Sequence, residues 1–174
     1  TRLARLLADV VPPAGVKPIN LSIGEPKHPT PDFICQAIGQ NTASLAQYPP
    51  TKGSPVLRQV MADWLKRRFH LPALNPETQI LPVLGSKEAL YSFTQTVVNP
   101  RAERPTVLVP NPFYMVYEGA TLLCGAKPHY VSLDAATGEY AWDRVPESVW
   151  RDVQLVLVCS PDNPTGHLTS RKRW

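Results

Sequence analysis

The residues best suited to chemistry in this chain sit where apolar runs give way to rigid polar turns. Leu155-Val156-Leu157-Val158-Cys159 is followed by Ser160-Pro161-Asp162-Asn163-Pro164-Thr165-Gly166. An apolar strand ending in a Pro-punctuated turn delivers side chains to the carboxyl edge of a sheet, where open α/β folds bind ligands. Asn163, held between Asp162 and Pro164, has an amide that can be aimed. The same residues also satisfy an ordinary tight turn with no ligand. Gly85-Ser86-Lys87 closes a second apolar run and opens a helical pattern. Free N–H groups and the positive end of a helix macrodipole suit a phosphate there, while Ser86 as a plain N-cap explains the serine equally well. Asn111-Pro112-Phe113-Tyr114 follows a third run. An aromatic ring there can stack on a flat ligand or pack into the core. A phosphate cradle, a ring face and an oriented amide together fit a flat aromatic phosphate ester.

The elements that must position these groups follow from hydrophobic periodicity. The patterns predict an amphipathic helix over 2–10, a Pro-rich extended stretch over 11–31, a helix over 32–40 and a loop over 41–53. A helix over 55–69 has Val56, Leu57, Val60, Met61, Trp64 and Leu65 as its core stripe, with Arg58, Asp63, Lys66 and Arg67 facing outward. From there the pattern alternates. Strands are expected over 80–84, 107–110 and 155–159 and extended chain over 128–133, with helices from 86 to about 97 and from about 114 to 123. Strands alternating with helices define an α/β fold with a mostly parallel sheet covered on both faces.

Composition narrows the function classes. The 174 residues are 43% hydrophobic and 18% charged, with a net charge of +4, enough for a real core. Twenty prolines fall between periodic segments and punctuate short connections. The expectation is no membrane span and no nucleic-acid surface, because no basic stripe interleaves with aromatics. His28, His70, His129 and His167 form no ligand pair, so no metal site is assigned. Cys35, Cys124 and Cys159 are odd in number and far apart, which reads as reduced, buried thiols in a cytoplasmic protein.

Five segments in order carry a resemblance: Leu21-Ser22-Ile23-Gly24-Glu25-Pro26, Tyr48-Pro49-Pro50-Thr51-Lys52-Gly53, Gly85-Ser86-Lys87-Glu88-Ala89-Leu90, Asn111-Pro112-Phe113-Tyr114 and Asn163-Pro164-Thr165-Gly166. Together they resemble the class I aminotransferases, pyridoxal-phosphate enzymes of the aspartate aminotransferase fold. The stretch from Lys17 through Pro31 is most similar to bacterial succinyldiaminopimelate transaminases of lysine biosynthesis. The resemblance implies a partial three-layer α/β/α sandwich, with an amino-terminal arm and part of a small domain over 1–40 and an incomplete cofactor-binding domain over 41–174. Related lyases and non-catalytic ligand-binding modules share this scaffold and stand as alternatives.

By resemblance, backbone N–H groups of Ser86 and Lys87 and the Ser86 hydroxyl would hold the cofactor phosphate. Tyr114 would stack on the pyridine ring, and Asn163 would hydrogen-bond its phenolic oxygen beside a cis Asn163-Pro164 bond. Tyr48 would reach the cofactor of a neighbouring subunit in a homodimer, and Gly24 would lie against the carboxylate of an amino-acid or 2-oxo-acid substrate. The family's Schiff-base lysine, its aspartate on the pyridine nitrogen and its substrate-clamping arginine have no counterpart here. The chain alone is therefore expected to be inactive.

Overall fold

The computed structural model describes every residue except 1, 18, 20, 22 and 23, and the side chains of 3 and 4 are also left undescribed. The chain divides into two compact units, Thr1–Pro49 and Pro50–Trp174.

The first unit holds two helices, α1 (Arg2–Leu6) and α2 (Asp32–Gln40), and a 3-10 turn over Thr42–Ala46. Helix α1 is shorter than its amphipathic pattern, and Pro12 and Pro13 follow soon after it. Helix α2 ends at Asn41, whose side-chain amide donates back to the Ala37 carbonyl at 2.8 Å. Its apolar residues Phe33 and Ile38 are exposed. Of the segment expected to be extended around Gly24, Asn20, Ser22 and Ile23 lie outside the described residues.

The second unit is built on a three-stranded, wholly parallel sheet: β1 (Thr106–Asn111), β2 (Lys127–Ser132) and β3 (Val153–Val156), in the order β2-β1-β3. Before β1 run α3 (Pro55–Phe69) and α4 (Ser86–Val97); α5 (Val116–Leu123) joins β1 to β2, and the short α6 (Glu147–Trp150) lies between β2 and β3. Central β1 is a continuous apolar run because both its faces are covered, and Val107, Leu108 and Val109 are fully buried. Alternation along the strand sends them to opposite sides. Val107 and Val109 join Val98, Tyr117, Cys124, Ala126 and Leu157 beside α4 and α5. Leu108 joins Val131, Tyr140 and Val145 on the other face. The β1–β3 register shifts by one residue next to Thr106. Near that shift the Gln154 side chain clamps Asn99, accepting from its N–H at 2.7 Å and donating to its carbonyl at 3.2 Å.

Three expectations are corrected. Residues 80–84 form no strand. Ile80 is buried, but Leu81, Val83 and Leu84 are exposed. Pro82 lacks an N–H for a ladder, and neither outer strand of the sheet pairs with this segment. Helix α3 forms where predicted but turns the other way. Arg58 and Ala62 are buried, Met61 and Leu65 half-buried, while Val56, Leu57, Val60 and Trp64 are exposed. The inward face is chosen by Arg58, whose guanidinium binds loop carbonyls, as its hydrogen bonds below show. Of the cysteines, only Cys124 is buried, donating to the Thr121 carbonyl at 3.1 Å; Cys35, on helix α2, is exposed and Cys159, after β3, is intermediate.

Candidate active site

The parallel sheet gives one end at which every strand delivers its exit loop. Strand β1 leads into Pro112, Phe113 and Tyr114, and β3 into the Ser160-to-Gly166 turn. The Asn111-Pro112, Ser160-Pro161 and Asn163-Pro164 bonds are all cis, the last as the family resemblance implies. Helix α4 packs on α5 and β3. The residues just after its carboxyl end are pinned by the Asn99–Gln154 clamp to the start of β3. Twelve helical residues rise about 18 Å, and six strand residues span about 20 Å. The amino end of α4 therefore stands level with the carboxyl end of β1. Ser86, Tyr114 and Asn163 gather at the same end of the sheet.

Ser86 and Lys87 occupy the first positions of α4, and both are exposed. The N-cap is Gly85, not Ser86, and it offers no side-chain cap. This removes the plain N-cap explanation of the serine. Gly85 has φ +102°, a conformation strained for any residue with a Cβ, and nothing lies within 4 Å of where a Cβ would stand. The Leu84 N–H is satisfied by the Glu88 carboxylate at 2.8 Å, while the Ser86 hydroxyl makes no hydrogen bond among the described residues. An open, glycine-preceded helix start with free N–H groups is the donor set that a phosphate needs.

Tyr114 is half-buried against the cluster of Val107, Val109, Tyr117 and Leu157. Its ring meets Tyr117 edge-on, with centroids 5.9 Å apart, so one edge is seated in the core. Asn163 is exposed, and its amide makes no hydrogen bond among the described residues. These residues fit a flat phosphorylated ring: donors for the phosphate, an aromatic face and a free amide.

What holds the two loops is Tyr140, which enters the far face of the sheet through an antiparallel bridge with Leu133. Its hydroxyl lies 2.9 Å from Asp162 Oδ2 and 3.1 Å from the Pro112 carbonyl oxygen. One proton thus serves acceptors on both loops. Thr165 also donates to Asp162 Oδ2, from its hydroxyl at 2.7 Å and its N–H at 3.3 Å. Asp162 Oδ1 is buried without a partner among the described residues. Burial first, then the hydrogen bond to Asp162 and its charge, push the Tyr140 hydroxyl well above the usual tyrosine range. Burial, with Cys159, Asp162 and Tyr114 nearby, pushes Tyr117 up to about 12. Both hydroxyls stay protonated at neutral pH, so Tyr140 acts as a donor. Sequence reading missed this layer. Asp162 was visible only as the neighbour of Asn163, and nothing in Gly138-Glu139-Tyr140-Ala141-Trp142 marks the tyrosine as special.

Two predicted residues belong to the first unit. Tyr48 is almost wholly exposed. Gly24 is exposed, with nothing within 4 Å of a notional Cβ.

The parallel α/β sheet thus carries an open helix start, a seated tyrosine and a cis-proline asparagine turn at its carboxyl end. The family model for class I and II aminotransferases matches residues 16–174, and the chain belongs to that family, whose members use pyridoxal phosphate. It is 37% identical to the LL-diaminopimelate aminotransferase of Desulforudis audaxviator, over 98% of this chain and 43% of that protein. An aminotransferase structure from Neisseria meningitidis superposes with a TM-score of 0.89 at 45% identity, covering 99% of this chain and 44% of that one. The N-succinyldiaminopimelate aminotransferase of Mycobacterium tuberculosis gives 0.74 at 29% identity, covering 88% and 40%. The fold is that of the type I pyridoxal-phosphate enzymes. The chain spans less than half the length of these relatives.

Proposed function

We propose that the protein carrying this chain is a pyridoxal-phosphate-dependent transaminase that moves an amino group between N-succinyldiaminopimelate and 2-oxoglutarate. The observation that carries the cofactor reading is the convergence at one end of the sheet of the open α4 start, the seated Tyr114 and the Asn163 amide, which has no hydrogen bond among the described residues. Bound there, pyridoxal phosphate would supply an electron sink for bond-breaking at the substrate's α-carbon. The backbone N–H groups of Ser86 and Lys87 and the Ser86 hydroxyl would donate to the phosphate. Tyr114 would shield the ring from water. The Asn163 amide would donate to the ring's oxygen and orient it.

The full exposure of Tyr48 favours a role toward a neighbouring subunit, hence a homodimer, and the open space at Gly24 favours a substrate carboxylate. Among the described residues no helix is long and apolar enough to cross a membrane; a cytoplasmic enzyme of amino-acid biosynthesis is the reading we adopt. The substrate reading is supported by the name of the Mycobacterium tuberculosis relative. The Desulforudis audaxviator relative's name supports a second reading, in which free LL-diaminopimelate is the amino donor.

The test is a coupled assay of the complete protein with 2-oxoglutarate, following glutamate, with each donor in turn. Turnover is expected with N-succinyl-LL-diaminopimelate. Preference for the free diamine decides for the second reading, and preference for aromatic amino acids overturns both. The 174-residue chain alone is expected to show no glutamate-dependent turnover, because the family's covalent cofactor lysine has no counterpart in it.

A further inference from the structure

We infer that Tyr140 is a positioning residue for the cofactor site: its hydroxyl ties the exit loops of β1 and β3 together, and so sets the spacing between Tyr114 and Asn163. The inference rests on the cofactor reading above and adds a residue to it. Tyr140 is 5% exposed, and among the described residues its hydroxyl bonds to neither the α4 start nor the rim side chains themselves. It reaches the Pro112 carbonyl, two residues before Tyr114, and the Asp162 carboxylate, one residue before Asn163.

No other side chain among the described residues bonds to both loops. Thr165 binds Asp162 from within the same turn, as do the N–H of Gly166 to the Asp162 carbonyl and the N–H of Asp162 to the His167 carbonyl, both at 2.8 Å. These bonds shape the β3 exit turn but do not place it relative to β1. Tyr140 itself is held from behind. Its ring packs with Leu108, Val131 and Val145 and meets His167 edge-on at 6.2 Å, and His167 pairs with Glu139 at 3.1 Å. With Asp162 Oδ1 lacking a donor, loss of the tyrosine hydroxyl leaves a buried carboxylate dependent on Thr165 alone. The turn then has reason to move toward water.

The complete protein, wild type and Tyr140→Phe, is examined in two ways. Without cofactor, hydrogen exchange is followed by peptide mass spectrometry. Exchange about tenfold faster is expected in both 113–115 and 160–167, the size of one charge-assisted hydrogen bond, with β1 and β2 unchanged. With cofactor, pyridoxal phosphate titration is expected to show a dissociation constant raised about tenfold and a shifted visible absorption maximum of the bound form. Tyr130→Phe is the control: it deletes a hydroxyl bonded to Glu118, which lies in neither loop, and is expected to change neither readout. Should Tyr140→Phe not fold, Asp162→Asn, which keeps the side chain's shape but loses its charge, is expected to give the same two-loop pattern to a smaller degree.

Faster exchange in one loop only, or unchanged exchange with unchanged cofactor affinity, overturns the inference. A wild-type protein that does not bind pyridoxal phosphate overturns the cofactor reading instead, and the exchange pattern still decides whether Tyr140 couples the two loops.

Discussion

Arg58→Met should open the loop before α3 without unfolding the sheet. Arg58 is 4% exposed, and its guanidinium makes four contacts: Nε donates to the Pro76 carbonyl at 3.0 Å, Nη1 to the carbonyls of Gly53 at 2.7 Å and Lys52 at 3.3 Å, and Nη2 to Glu77 at 2.5 Å. Four bonds to a charged donor, at about 1.5–3 kcal/mol each, would overstate the loss. Nη1 is shared between two carbonyls, and the Lys52 contact is long. Glu77 is 58% exposed and regains water, which limits that pair to about 0–1 kcal/mol. The Gly53 and Pro76 carbonyls carry most of the rest. Methionine keeps the aliphatic stem, so little packing is lost. The net cost is about 3 kcal/mol, on the order of a hundredfold in the opening equilibrium.

Lys52 makes that equilibrium measurable, because trypsin cuts after it and cleavage tracks the open population when reclosing is fast. In the complete protein, release of fragments beginning at Gly53 should accelerate on the order of a hundredfold. Cleavage at Arg101, in the exposed turn before β1, should stay constant. Arg58→Lys should recover only part of the protection, since one ammonium cannot replace a fork that serves carbonyls on two segments. A Lys52 cleavage rate within about threefold of wild type would mean those carbonyls are satisfied without the guanidinium, and the reasoning fails.

Gly53→Ala should destabilise the same loop by about 2 kcal/mol or more, because Gly53 has φ +73° and a Cβ would stand 2.7 Å from Pro82 Cγ on a stiff ring. The double variant with Arg58→Met should be less than additive, since both act on one hydrogen-bonded unit; full additivity of the proteolysis effects would show that they are independent. Tyr117 holds its proton to about 12 in the fold against an ordinary value of 10.0. Its contribution is therefore complete below about pH 10 and is lost as pH rises through about 12, a change worth about 2–3 kcal/mol. Urea midpoints of the complete protein between pH 9 and 11.5 should fall less steeply in Tyr117→Phe, and parallel slopes would contradict this.

The centre of the sheet was legible because β1 is buried on both faces and flanked by turn residues. Val107-Leu108-Val109 reads as a core strand with no further information, and the helices at 86 and 116 begin within two residues of their expected starts. The 80–84 run has the same composition and is not a strand. Apolar content reports that a segment wants cover, whereas a strand also needs an edge to pair with, and Pro82 blocks part of that edge. Helix α3 fails in a related way. Periodicity located its faces, but which face turns inward depends on what the adjoining loops offer. Those loops offered carbonyls, which select the arginine over Val60 and Trp64.

The same limit explains why the rim was readable and its support was not. Ser86, Tyr114 and Asn163 stand beside Gly85, Pro112 and Pro164, residues whose backbone constraints are written in their identity. Tyr140 works through one hydroxyl aimed at two loops, 28 and 22 residues away in sequence, and no local pattern encodes such a bridge. The side chains that face a ligand lie on loops, where special backbone residues announce them. The side chains that hold those loops still are ordinary core residues with one polar atom. The first kind can be found by spacing along the chain; the second only by asking, for each buried hydroxyl and carboxylate, which acceptor it serves and what moves when it is removed.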